Sequence, residues 1–279
     1  MNRHLTLGYL TLDAPPVDTI SAAAAAGFKS VGIRITGRRL SDPYTHVVGN
    51  PAMIAEIRHR IANSGIRLAS VLPYHVYPDV QWSHLQPVVE TAAELGAKFI
   101  IVISHQPDEA RFVDLLARSC EEAKKHGIAM ALEFMRFSQA RTLEQAERIV
   151  KACGQPNACL VIDALHLARS GGTVAGVARL PPNLVGFFQV CDAMNRAAEP
   201  SEQELIAESR TCRLAPGDGE LPLFDLLDAL PAGIEIEYEV PRPEHAQLPP
   251  GQRARIAAGR LESFLAEYAR RPQGGGKGN

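Results

Sequence analysis

Four side chains that can offer oxygen to a cation close four apolar runs in the second half of the chain: Glu133 in IAMALEF, Asp163 in ACLVIDALH, Gln189 in LVGFFQVCD, and Glu237 or Glu239 in GIEIEYEVP. Three carboxylates and an amide make an oxygen-rich donor set, which suits Mn²⁺ or Mg²⁺ better than a thiolate-seeking metal, with Zn²⁺ or Co²⁺ as alternatives. One divalent metal ion is therefore the expected cofactor. His166 lies just past Asp163 in DALH, near enough to reach the same pocket and touch a substrate. His75 and His105 close the third and fourth apolar runs, and Arg34 closes SVGIRI, where it could pair with a pocket carboxylate or hold an anionic substrate. Trp82 and Tyr74 are candidates for an apolar wall, with core packing as the plainer role.

Such residues meet only if the elements between them fold back each time. Short aliphatic runs alternate with amphipathic segments throughout: LTLGYLTL before a helix over 17–26, SVGIRI before 51–64, RLASVLPYHV before 84–95, and FIIVISH before 108–126. The second half continues with IAMALEF before 142–153, ACLVIDAL before a turn-rich crossover, LVGFFQVCD before a long loop and 221–230, and GIEIEYEV before 252–268. Strands alternating with helices imply parallel pairing through right-handed crossovers, and eight such units are the number that closes a barrel. The fold class expected is α/β, a single parallel (β/α)8 TIM barrel over residues 1–270, followed by a disordered tail over 271–279, where RRPQGGGKGN offers little to bury. Glycines after helices, as in AAAAGFKSV, AELGAKFI and KKHGIAMAL, mark helix ends. Three irregular stretches, SGGTVAGVARLPP, the polar run 195–213 and PRPEHAQLPPG, are candidate lids.

Strand parity refines the site. Ile128, Met130, Leu132 and Phe134 share one face of strand five, and Ala129, Ala131 and Glu133 the other, so Glu133 points to the barrel mouth. Strand six puts Cys159, Val161 and Asp163 together. Strand eight sends Glu235, Glu237 and Glu239 inward, and three acids are not expected to lie deep in one dry core.

Bulk composition narrows the classes. Lys plus Arg (29) nearly balances Asp plus Glu (31), giving a formal charge of −2, so the basic excess expected of a nucleic-acid binder is missing. Five cysteines without CxxC spacing fit a reducing cytoplasm, and MNRHLTLGYLTLDAPP reads as neither signal peptide nor membrane span. The expected partner is a small molecule, with no nucleic acid and no membrane; a homodimer suits the fold class, although no sequence feature requires it.

The stretches ALEFM, VIDALHLARSGG, FFQVCDA, PGDGELPL and EYEVPRP carry a resemblance, running from about Leu5 to Tyr268, to the xylose-isomerase-like TIM barrel superfamily and its sugar phosphate isomerase/epimerase group. Asp163 followed by His166 is similar to the Asp-x-x-His pair of D-tagatose 3-epimerase type enzymes, which implies that Asp163 binds metal and His166 contacts substrate oxygens. Glu133 resembles the strand-five glutamate that binds metal and exchanges a substrate proton. The chain departs from that pattern at Gln189, where those epimerases carry a histidine; an amide oxygen suits Mn²⁺ or Mg²⁺ and binds zinc poorly. The arginine expected soon afterwards has no clean match, since Asn195 and Arg196 straddle its position. In strand eight Glu239 is favoured over Glu237 because it lies nearer the carboxyl end.

The resemblance implies a metal-dependent isomerase or epimerase of a small sugar or polyhydroxy carbonyl compound, working through an enediolate. Glu133 and Glu239 would exchange the proton from opposite sides, and His166 would assist. Loss of a β-hydroxyl from the same intermediate would give a dehydratase of a dehydroshikimate-like or keto-inositol substrate. A zinc phosphodiesterase and a non-catalytic binding protein are weaker readings on this fold. No GxxxxGK[ST] loop announces a phosphate site.

Overall fold

The apolar runs become strands that meet protein on both faces, which explains why they lack the polar alternation of a half-solvated sheet. The computed structural model describes residues 5–42, 44, 46–72, 75–196 and 199–271. Eight strands, β1 (Leu5–Leu7), β2 (Ser30–Arg34), β3 (Arg67–Leu72), β4 (Phe99–Val102), β5 (Ala129–Glu133), β6 (Ala158–Asp163), β7 (Val185–Val190) and β8 (Glu235–Tyr238), close in chain order into a barrel. Every neighbouring pair is parallel, and β1 returns to β8 with Thr6 opposite Glu237. The fold is a TIM barrel.

The helices are α1 (Tyr9–Leu12), α2 (Pro16–Ala25), α3 (Pro51–Ser64), α4 (Trp82–Glu94), α5 (Glu109–Lys124), α6 (Leu143–Cys153), α7 (Ala164–Arg169), α8 (Val174–Ala178), α9 (Glu202–Thr211), α10 (Leu223–Ala229) and α11 (Pro250–Arg270). Their ends follow local chemistry. Asp108 and Thr142 accept hydrogen bonds from the backbone N–H of Arg111 and Gln145 at the starts of α5 and α6. Gly154 ends α6 at φ 67°, a left-handed conformation in which a side chain would be strained. Among the described residues no helix is long and apolar enough to cross a membrane.

Two apolar layers result. Ile128, Met130, Leu132 and Phe134 face the helices, whereas Phe99, Ile101, Ala131, Cys159, Val161 and Phe187 fill the barrel interior beneath the mouth. Inward polar side chains lie at the two ends and in one hydrogen-bonded set between them, Ser70, Gln189 and Glu237.

Two expectations change. LTLGYLTL is a strand only to Leu7, because Gly8 donates its N–H to the Tyr238 carbonyl and the chain then turns through α1. The polar run 195–213 contains α9, fixed at its start by a capping box in which Ser201 and Glu204 bond each other's backbone N–H. Tyr74 and residues 272–279, most of the expected tail, lie outside the described residues.

Candidate active site

Strand β8 and the residue that follows it carry three glutamates at three depths, and all three are buried, contrary to the expectation from their number. Each has its own partners. At the amino end Glu235 accepts hydrogen bonds from Thr6 (2.7 Å), Ser30 (2.9 Å) and Lys98 (3.2 Å), which plug that end of the barrel. In the middle Glu237 accepts from Ser70 Oγ and from Gln189 Nε2, both at 2.9 Å. At the mouth Glu239 faces the Arg213 guanidinium at 3.3 Å. Gly32 makes room for the middle layer, since a Cβ there would lie 2.5 Å from Ser70 Oγ and 3.1 Å from Glu237 Oε2.

Glu133 and Asp163 end β5 and β6, and His166 stands one turn into α7, whose first turn Asp163 caps by accepting the His166 N–H at 2.8 Å. That cap fixes the Asp-x-x-His spacing in space. Ligand atoms from Glu133, Asp163 and His166 all lie within 4.8 Å of one another, so this buried triad could hold a metal ion. Beside it, Gln189 Oε1 and Glu239 Oε1 are buried without a hydrogen-bond partner among the described residues. Orphaned buried oxygens carry a desolvation cost that a bound cation would remove. The donor chemistry therefore fits a metal.

Arg213 is the residue that the sequence reading missed. It comes from the far end of the loop after β7 and is buried in the cluster, its guanidinium 2.5 Å from Asp163, 3.3 Å from Glu239 and 3.5 Å from His166 Nε2. The arginine sought near Gln189 is not Arg196, which instead reaches Glu204 and Glu208 on α9. A usable signal was present in the Ser201–Glu204 capping box, which starts a helix that returns the chain to the mouth just before Arg213.

Electrostatics follow from this packing. Burial pushes Glu133 well above the usual glutamate range, and Glu239 and Asp163 add to the shift. Burial likewise carries Glu237 to about 8 and Glu239 to about 7, the latter held back by Arg213. Burial also works against an ionised Asp163, yet the charge of Arg213 and the bonds from Arg213 and His166 hold it below the usual aspartate range. His166 is lowered to about 4 by burial, so its ring is neutral near pH 7. With Glu133, Asp163 and Glu239 ionised, one guanidinium leaves two negative charges uncompensated, which matches a divalent ion.

The other expected residues take distinct places. Tyr9, Arg38, His75, Glu133, His166, Gln189, Arg210, Arg213 and Glu239 share a small cavity of about 40 Å³ at the mouth. His75 is buried there and its Nδ1 lies 3.1 Å from His105 Nε2; His105 in turn stacks on Tyr77 at 4.5 Å, with Arg39 over the Tyr77 ring. Burial lowers His75 well below the usual value and His105 to about 4. Arg34 makes no ion pair among the described residues; it donates to the Tyr9 hydroxyl at 2.8 Å and sits over the Tyr9 and Tyr44 rings. Trp82 opens α4 and packs on the helix-facing core with Arg118 over its ring, so it is not part of the mouth.

Known proteins place this architecture. The fold matches the IOLI protein with a zinc atom at a TM-score of 0.77 and 18% identity, covering 95% of this chain and 99% of that one. It matches D-allulose 3-epimerase from Methylomonas sp. at a TM-score of 0.68 and 16% identity over 95% and 98% of the two chains. By sequence it is 26% identical over 249 residues to the 3-dehydroshikimate dehydratase of Pseudomonas aeruginosa, and 23% identical over 235 residues to that of Pseudomonas putida. These stretches cover 85% and 80% of this chain but only 37% and 35% of the two relatives, so the chain spans little more than a third of their length. Residues 20–264 match the xylose isomerase-like TIM barrel, and the chain belongs to that family.

Proposed function

We propose that the protein is a divalent-metal-dependent lyase that removes water from 3-dehydroshikimate or a close analogue, a cyclic ketone with α- and β-hydroxyls and a ring carboxylate. The observation that carries this reading is the sequence similarity to 3-dehydroshikimate dehydratases over 85% of the chain. The donor set supports it. Glu133, Asp163, Gln189 and Glu239 would hold the metal, with Mn²⁺ or Mg²⁺ favoured by the oxygen ligands. When bound, the ion supplies Lewis acidity that polarises a carbonyl and eases loss of the adjacent proton.

The chain's own residues supply the proton chemistry. The Glu133 carboxylate accepts no hydrogen bond from the described residues and lines the cavity, which suits it to take the proton from the carbon between the ketone and the β-hydroxyl carbon. Neutral His166, its Nε2 3.7 Å from Glu133 Oε1, can receive that proton and deliver it to the departing hydroxyl. The carbon–oxygen bond breaks and water leaves, and the resulting dienone tautomerises, a further ring proton being exchanged for one on the former ketone oxygen, to give an aromatic dihydroxy acid. Arg213 keeps Asp163 ionised throughout.

A second reading has a specific observation behind it: Glu133 and Glu239 line the same cavity, as a two-carboxylate isomerase or epimerase requires. The deciding experiment strips the protein with chelator, reloads it with Mn²⁺, Mg²⁺, Co²⁺ or Zn²⁺, and supplies 3-dehydroshikimate or a ketohexose in D₂O. An aromatic acid formed only with metal, and not by Asp163→Ala, is expected. Deuterium entering the ketohexose with no water lost from 3-dehydroshikimate would replace the lyase with the isomerase reading.

A further inference from the structure

The cavity at the mouth is acidic where it is deepest and basic at its rim. Glu133, Gln189 and Glu239 are buried, while Arg38, in the segment after β2, is half-buried and Arg210, near the end of α9, is exposed. The deeper guanidinium of the same cavity, Arg213, is fully engaged by Asp163 and Glu239. Arg38 and Arg210 are not. Among the described residues neither side chain has a hydrogen-bond or ion-pair partner; the bonds of Arg38 are made by its backbone, whose N–H donates to Asp42 and whose carbonyl accepts from the His75 N–H. Both guanidinium-bearing side chains line the same cavity, and burial together with the charge of Arg38 pulls Arg210 below the usual arginine range.

Such a pair is repulsive until an anion joins it, and the planar fork of each guanidinium matches the two oxygens of a carboxylate. The arginines arise from different segments of the chain, so a shared anion would tie the segment after β2 to α9. We propose that Arg38 and Arg210 form a clamp for a substrate carboxylate, which selects carboxylated ring ketones over neutral sugars and turns the ketone toward Glu133 and Glu239. The clamp rests on the reading of this cavity as the substrate site and narrows its substrate class.

Binding separates the clamp from the reaction. Shikimate, its methyl ester and fructose 6-phosphate are titrated calorimetrically into Mn²⁺-loaded parent, Arg38→Met, Arg210→Met and Arg210→Lys, with thermal unfolding confirming that each variant is folded. Shikimate should bind the parent, lose on the order of 10- to 100-fold in affinity in either Met variant, and recover in part with Lys, which keeps charge without the fork. The methyl ester should bind weakly and equally to parent and Met variants. Shikimate binding that is absent from the parent or unchanged in the Met variants overturns the clamp, as does tighter arginine-dependent binding of fructose 6-phosphate. Arginine-dependent shikimate binding without turnover of 3-dehydroshikimate would support the clamp while removing the lyase reading.

Discussion

Gln189 offers its carbonyl oxygen to the cavity because its Nε2 is committed to Glu237, which Ser70 holds from the other side. An amide has no charge to orient it, so the partner behind it decides which end faces a cation. Glu237→Ala frees the amide to turn and should weaken Mn²⁺ binding by roughly 10–100-fold, while Glu237→Gln, still able to accept from Gln189, should recover much of it. Titration of chelator-stripped protein with Mn²⁺ measures both; equal affinities in parent and Glu237→Ala would remove Glu237 from the site. Asp163 carries a double burden, since it is a candidate ligand and the closest partner of buried Arg213. Asp163→Ala should therefore lose the metal and also destabilise the metal-free protein by about 3 kcal/mol, the low end of the cost of breaking a buried ion pair, because Glu239 still faces Arg213. Urea unfolding in chelator reads the second effect separately from the first.

At the scale of elements, β2 and β8 depend on each other through an absent side chain. Gly32→Ala would drive a methyl group against Ser70 Oγ and Glu237 Oε2, and is expected to cost about 1–3 kcal/mol and to weaken Mn²⁺ binding by disturbing the support of Gln189. Unchanged metal affinity in a destabilised variant would show that β2 serves packing alone. This dependence was not readable in the sequence, where Gly32 is one small residue in SVGIRI. The barrel was readable, because parallel strands buried on both faces appear as apolar runs and each ligand candidate closes one of them. Glu133, Asp163, Gln189 and Glu239 do converge near one cavity for that reason. Arg213 was harder to read, because its place is set by α9 and the loop that follows, which lack the apolar periodicity of a core element and are marked only by the capping box at Ser201 and Glu204. The burial of the three glutamates in and just after β8 was misjudged for a related reason: their partners Ser30, Ser70, Lys98 and Arg213 lie far apart in sequence.

For the whole molecule, a buried cluster of acids makes the stability of the metal-free protein depend on pH in a definite direction. Glu237 and Glu239, buried and raised to about 8 and about 7, bind protons in the folded state that the unfolded chain has released from about pH 4.5 upward. Their contribution is therefore full below the unfolded value and is lost as pH rises through the folded one. His166 and His105 act oppositely. Both are lowered by burial to about 4, so protonation favours the unfolded chain below about 6.5, and stability rises with pH between about 4 and 6.5. The two trends offset each other on the acid side. Above pH 6.5 the two raised carboxyls are no longer opposed by these two histidines, and chelator-stripped protein should lose stability from pH 6.5 to about 8. A bound divalent ion favours the ionised carboxylates and reverses their sign, so saturation with Mn²⁺ should flatten or invert the decline and stabilise most at the upper end of the window. Urea midpoints at pH 6.5 and 8, with chelator and with Mn²⁺, measure this. A metal-free protein as stable at pH 8 as at 6.5, with no added stabilisation from Mn²⁺, would mean that the acids are neutralised by Arg213 and its neighbours, and that the cluster is a structural ion network.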